Sequence, residues 1–117
     1  VTEPLDDKEA ETRFRVLCRR RRGALLAAYP VTGRMHQIRR HLSMAGFPVI
    51  GDRRYGASPR PALTGIALHS FRTETLHPET GRRLIIFAPL PAELLGLLHE
   101  VCDDILASIL KALPAVP

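Results

Sequence analysis

The stretch TGRMHQIRRHLSMAGFPVIGDRRYG, residues 32–56, decides how this chain is read. Thr32 and Gly33 close the apolar run before them, and the Thr32 hydroxyl can cap a helix that follows. Met35, Ile38, Leu42 and Ala45 then recur at helical spacing, which predicts a single apolar stripe. His36, Arg39, Arg40 and Ser43 fall mainly off that stripe. The expectation is a short amphipathic helix that packs on a sheet and presents a basic face, with Gly46 as its stop. Backbone N–H groups at the helix start, with Arg34, His36, Gln37, Arg39 and Arg40, suit an anionic or nucleotide ligand. A solvated cationic helix face accounts for the same residues equally well. His36 and His41 stand five residues apart, about 140° round a helix, and this spacing argues against a shared metal.

Working outward, Phe14, Val16 and Cys18 alternate with Arg13, Arg15 and Arg19, which predicts a strand over 11–19. Residues 20–23 supply a turn, and the apolar run 24–31 reads as the return strand of a hairpin. Residues 1–10 are polar and acidic and are expected to be a linker or frayed end. Downstream, 47–50 reads as a short extended piece. Gly51, Gly56, Pro59, Pro61 and Gly65 mark a long loop. Residues 66–76 and 84–88 are strand-like around a turn at 77–82. Pro91 opens a final helix whose buried face is expected to be Leu94, Leu98, Val101 and Ile105, ending at Pro114. This order predicts an α+β domain with a mixed, mainly antiparallel sheet and packed helices over residues 11–114.

Composition narrows the function classes. The 117 residues suffice for one domain, and 45% of them are hydrophobic, so a core can form. No apolar run approaches the length of a membrane-spanning helix, and no leader pattern marks the chain for secretion, so a cytoplasmic setting is expected. Val1 in place of an initiating methionine fits a processed product or a piece of a longer chain. Cys18 and Cys102 belong to no CxxC pair, which gives little support to a metal or a disulfide framework. The net charge is +5, and it is uneven: residues 1–60 carry 13 basic and 6 acidic side chains, residues 61–117 carry 4 and 6. Most of the basic residues are arginine, whose planar fork suits phosphate, so a polyanionic partner is expected.

The ordered pattern TGR-x-HQIR-x-HL, then G-x-P-V-x-GD-x-x-YG, resembles the C-terminal signature block of the RluA family of RNA pseudouridine synthases. Ala67-Leu68-His69, Leu76-His77-Pro78 and Phe87 to Pro91 resemble the ending of the same block, so the likeness covers roughly residues 11–98. Met35, Arg40 and Ser70 depart mildly from the family pattern. The resemblance implies half of a pseudouridine synthase catalytic domain that isomerises uridine within rRNA or tRNA without cofactor or metal. In that chemistry an aspartate attacks, the ribose-to-N1 bond breaks, and the uracil rotates and rejoins through C5. Arg39 would pair with the aspartate, and Ile38 would line the uracil pocket. Arg34, His36, Gln37 and Arg40 would support the junction or touch the RNA. Asp52 would brace its loop, and Tyr55 would join the core. Base extrusion calls for a basic surround. Arg19 to Arg22 and Arg53-Arg54 are candidates for it, although turns and loops are also where solvated arginines sit.

The family's aspartate lies in an HRLD-like block that these 117 residues do not contain. Asp6, Asp7, Asp52, Asp103 and Asp104 all lack that setting. The chain alone is therefore expected to be catalytically silent, and an incomplete domain should expose an apolar edge that favours self-association. A truncated, catalytically silent RNA-binding module is the alternative reading. A DNA-binding regulator is weaker, because no second helix precedes residues 35–45 at helix-turn-helix spacing.

Overall fold

The computed structural model describes residues 1–60 and 63–112. Strand β1 (Thr12–Arg20) and strand β2 (Gly23–Pro30) pair antiparallel across a two-residue turn at Arg21 and Arg22. This is the hairpin that the alternation predicts. The alternation breaks at one place: the register shifts between the Val16–Leu26 and Cys18–Leu25 pairs, leaving Leu17 as the extra residue of a bulge. Val16 is consequently exposed, while Leu17 and Cys18 turn into the core.

That core is small. Cys18 packs with Cys102 and Ile109, ringed by Leu17, Leu25, Val101 and Ile105. The two cysteines, distant in sequence, thus meet in space as free thiols. Burial pushes the Cys102 thiol up to about 12, and the neighbouring Cys18 adds to the shift.

Strand β3 (Arg72–Leu76) and strand β4 (Arg83–Phe87) form a second antiparallel pair, largely exposed, around the expected turn. Phe71 and Phe87 meet edge-to-face at 5.7 Å at its base. The class is α+β, with two separate antiparallel hairpins among the described residues. Residues 66–71 are not part of a strand, because the Ala67 N–H is spent on the Ile50 carbonyl at 2.8 Å, tying this segment to the preceding loop.

Three α-helices complete the fold among the described residues. Helix α1 (Gln37–Met44) packs against the β1–β2 hairpin. It ends as expected at Gly46 (φ +90°), where the Gly46 N–H reaches the Ser43 carbonyl and the Phe47 N–H reaches Leu42. These two bonds make a Schellman stop. Helix α2 (Ala92–Cys102) follows Pro91, and helix α3 (Leu106–Ala112) follows a turn at 103–105. The single final helix expected from periodicity is therefore two. Its buried side chains are Leu97, Leu98 and Cys102, then Leu106 and Ile109; of the expected face Leu98 is buried and Leu94, Val101 and Ile105 are half-buried. Pro114 lies outside the described residues.

Residues 1–10 differ from the expected linker or frayed end. Leu5 and Ala10 are buried, and Leu5 and Lys8 exchange both backbone hydrogen bonds around Asp6 and Asp7, each at positive φ. The segment lies along α1, and what holds it there belongs to the site.

Candidate functional site

The helix start differs from the sequence expectation. Helix α1 begins at Gln37, and its cap residue is His36 in the left-handed region (φ 51°, ψ 32°), without a side-chain cap. Thr32 is not the cap. Its hydroxyl accepts the Glu11 N–H at 3.0 Å and donates to Gln37 Oε1 at 2.5 Å. It thereby joins β1, the β2 exit and the helix through one oxygen.

Gln37 and His41 form the most buried face of α1, in place of the Met35–Ile38–Leu42–Ala45 stripe. Met35 and Ala45 are exposed, and Ile38 and Leu42 are half-buried. A polar face can be buried here because every atom has a partner. Gln37 Oε1 also accepts the Arg34 N–H at 3.1 Å. Gln37 Nε2 donates to the Glu11 carbonyl at 2.7 Å and to Thr12 Oγ1 at 3.0 Å. The Thr12 hydroxyl lies 2.7 Å from His41 Nδ1, and His41 Nε2 lies 2.8 Å from the Glu3 carbonyl. No buried side-chain polar atom among the described residues lacks a partner. Gln37 is thus a buried latch between helix and hairpin rather than an exposed donor.

Arg39 stands on a different side of the helix. Its Nε and Nη2 grip both oxygens of Asp52, at 2.8 and 2.9 Å, in a side-on fork. Asp52 is only 1% exposed. The Arg39 hydrogen bonds hold its carboxyl below the usual carboxylate range, outweighing the opposing effect of burial. The Tyr55 ring lies 4.9 Å from the Arg39 guanidinium carbon. Tyr55 is itself half-buried and is held at both ends: its hydroxyl meets His36 Nδ1 at 2.8 Å, and its carbonyl accepts Ser43 Oγ at 2.6 Å. It therefore serves as a platform under Arg39 instead of joining the main core. The 3-10 turn Arg53–Tyr55, starting directly after Asp52, delivers all of this.

The remaining candidates separate by their partners. Arg34 Nε donates to the Glu9 carbonyl at 2.7 Å. Arg40 forks onto Asp6 at 3.0 and 3.1 Å, which anchors the N-terminal segment to α1. The structure therefore brings Arg39, His36, Asp52 and Tyr55 together, and turns Arg34, Gln37 and Arg40 toward structural partners. Asp6, Thr12 and Glu11 were not legible as site residues, since nothing local marks them. Asp52 carried one signal, its place in the G-D-x-x-Y-G pattern of residues 51–56. Among the described residues, Arg21, Arg22, Arg53 and Arg54 have no acidic partner.

Residues 2–44 match the family model described as RNA pseudouridylate synthase. The matched span includes the N-terminal segment that packs along α1. Over most of its length the chain is similar to RNA pseudouridine synthases of the RluA family. It is similar to ribosomal large subunit pseudouridine synthase C of Pasteurella multocida, with 42% identity over 80% of this chain and 31% of the relative. Ribosomal large subunit pseudouridine synthase D of Nitrosomonas europaea is 39% identical over 80% of this chain and 30% of its own length. An uncharacterised RNA pseudouridine synthase of Bacillus subtilis is 38% identical over 86% and 33%. The chain thus spans about a third of the length of the relatives it matches.

Proposed function

We propose that this segment supplies the arginine-bearing wall of the active site in a polypeptide that isomerises uridine to pseudouridine in RNA. The observation that carries the reading is the state of Arg39. Side-on pairing with Asp52 uses two of the five guanidinium donors and leaves the far edge free for a second anion. In the reaction, that edge pairs with an aspartate supplied from outside these 117 residues and keeps it ionised and aimed. Ile38, half-buried beside Arg39 in sequence, lines the apolar side of the uracil pocket. The C1′–N1 bond breaks and a C1′–C5 bond forms. C5 gives up its proton and N1 regains one, so the change is balanced without cofactor or metal.

The substrate proposed is ribosomal RNA, in keeping with the printed names of two relatives, with transfer RNA as the other substrate class. The unpaired arginines of the hairpin tip and the 3-10 turn provide the phosphate contacts, and the setting is cytoplasmic. No helix among the described residues is long and apolar enough to cross a membrane. Exposed Val16, Tyr29, Val31, Met35 and Phe47 offer apolar surface for the rest of the catalytic domain. In its absence the chain self-associates.

The test is tritium release from C5-labelled uridine in cellular RNA, using a full-length polypeptide that carries this segment. Release that Arg39→Ala abolishes supports the reading. Folded protein that binds RNA but releases no tritium would replace it with a silent RNA-binding module.

A further inference from the structure

Arg39 is held more tightly than a surface arginine needs to be. Asp52 fixes one edge of its guanidinium through two hydrogen bonds, and Tyr55 covers one face at 4.9 Å. Each of these holders is itself held. The Asp52 N–H reaches the Val49 carbonyl at 2.9 Å, and Gly51 before it has φ +85°. Tyr55 is tied to α1 through His36 and Ser43. His36 keeps a left-handed backbone (φ 51°) in doing so, a conformation disfavoured for a non-glycine residue. The guanidinium therefore has little rotational freedom, and its unfilled edge points in one direction. Among the described residues, the hydrogen bonds of the Arg39 guanidinium are those of Nε and Nη2 to Asp52, and Nη1 makes none.

We infer that Asp52 is a positioning residue for the isomerisation: with Tyr55 it aims the free edge of Arg39 at the reacting aspartate, and it acts only through Arg39. This rests on the function proposed above. Asp52 neither attacks nor transfers a proton. Both of its oxygens are occupied and it is shut away from solvent, so no substrate atom reaches it. Its influence on rate is geometric, and a misplacement of roughly 1 Å in such a group costs about 100-fold in turnover.

The test is a double-mutant cycle in the full-length polypeptide, read by single-turnover tritium release so that weak residual rates are measurable. Asp52→Asn should lower kcat about 10- to 100-fold with KM within about twofold, because RNA contacts lie elsewhere. In an Arg39→Ala background the same change should add no further loss. Tyr55→Leu should behave in the same way, and it serves as the second probe if Asp52→Asn lowers the melting temperature below the assay range. Equal losses in both backgrounds would show that Asp52 acts independently of Arg39 and would overturn the inference. So would full kcat in Asp52→Asn while Arg39→Ala is inactive, an outcome that leaves the proposed function standing. Full activity in Arg39→Ala would overturn both. In this chain alone, the Arg39 Nε–H should exchange slowly by NMR and lose that protection in Asp52→Asn.

Discussion

The hydroxyl of Thr12 lies 2.7 Å from His41 Nδ1 in the buried seam between β1 and α1, and its neighbours set the direction of every proton along that seam. His41 Nε2 faces a carbonyl and so donates to it; in the neutral ring Nδ1 is then the acceptor of the Thr12 hydroxyl. Thr12 Oγ1 can then accept from Gln37 Nε2, whose own Oε1 accepts from Thr32. One helix face is joined to the hairpin without a spare donor or acceptor.

Removing a member of such a seam strands its partners. Gln37→Leu should destabilise the fold by about 3 kcal/mol, because it takes the acceptor from the Thr32 hydroxyl and the Arg34 N–H and removes the donor to Thr12 and the Glu11 carbonyl. Thr12→Val should cost about 2 kcal/mol by stranding His41 Nδ1. The double variant should cost less than the sum, since both changes break the same bond. Urea midpoints at constant slope check this, and strict additivity would contradict a connected network.

Gly51 sits at φ +85°, and a Cβ there would lie 2.6 Å from the Gly65 carbonyl oxygen. A side chain would push apart the Asp52 loop and the 63–67 segment that crosses it. Gly51→Ala should cost about 3 kcal/mol, more than the left-handed backbone alone explains. It should also loosen the Arg39–Asp52 pair, visible as faster exchange of the Arg39 Nε–H.

The same pair contributes a pH dependence of definite sign. The Asp52 carboxyl is held below the 3.8 of a free aspartate by Arg39. Its stabilisation is therefore complete above the unfolded value, where both states are ionised. It is lost as pH falls through the depressed folded value, because the unfolded chain takes up the proton first. The stability gap between wild type and Asp52→Asn should be constant above about pH 5 and narrow below about pH 4. A gap that widens on acidification would mean that burial, not Arg39, dominates at Asp52.

On the proposed function, the cations that contact RNA are those that the fold leaves without an acidic partner. Replacing Arg53 and Arg54 by alanine should weaken RNA binding and reduce the slope of its salt dependence by about 0.7–0.9 for each phosphate no longer neutralised. Arg72→Ala should leave the slope unchanged, since that arginine is already engaged with Glu74. Anisotropy titrations across a salt series separate the two. Equal slopes for all variants would move the RNA-binding face to another surface.

Much of this fold was legible in the order of residues. Period-two alternation with a two-residue turn defined the β1–β2 hairpin, Gly46 marked the end of α1, and the ordered motif of residues 32–56 carried the family resemblance. These features depend on neighbours within a few positions, where backbone conformation follows from local sterics and polarity. Tertiary structure alone decided that Thr32 serves Gln37 rather than the helix end, and that the buried face of α1 is polar. It also decided that Asp6 and Asp52, 34 and 13 residues away, hold Arg40 and Arg39. A buried glutamine or carboxylate is stable only where distant groups complete its hydrogen bonds, and no periodicity records which groups those are.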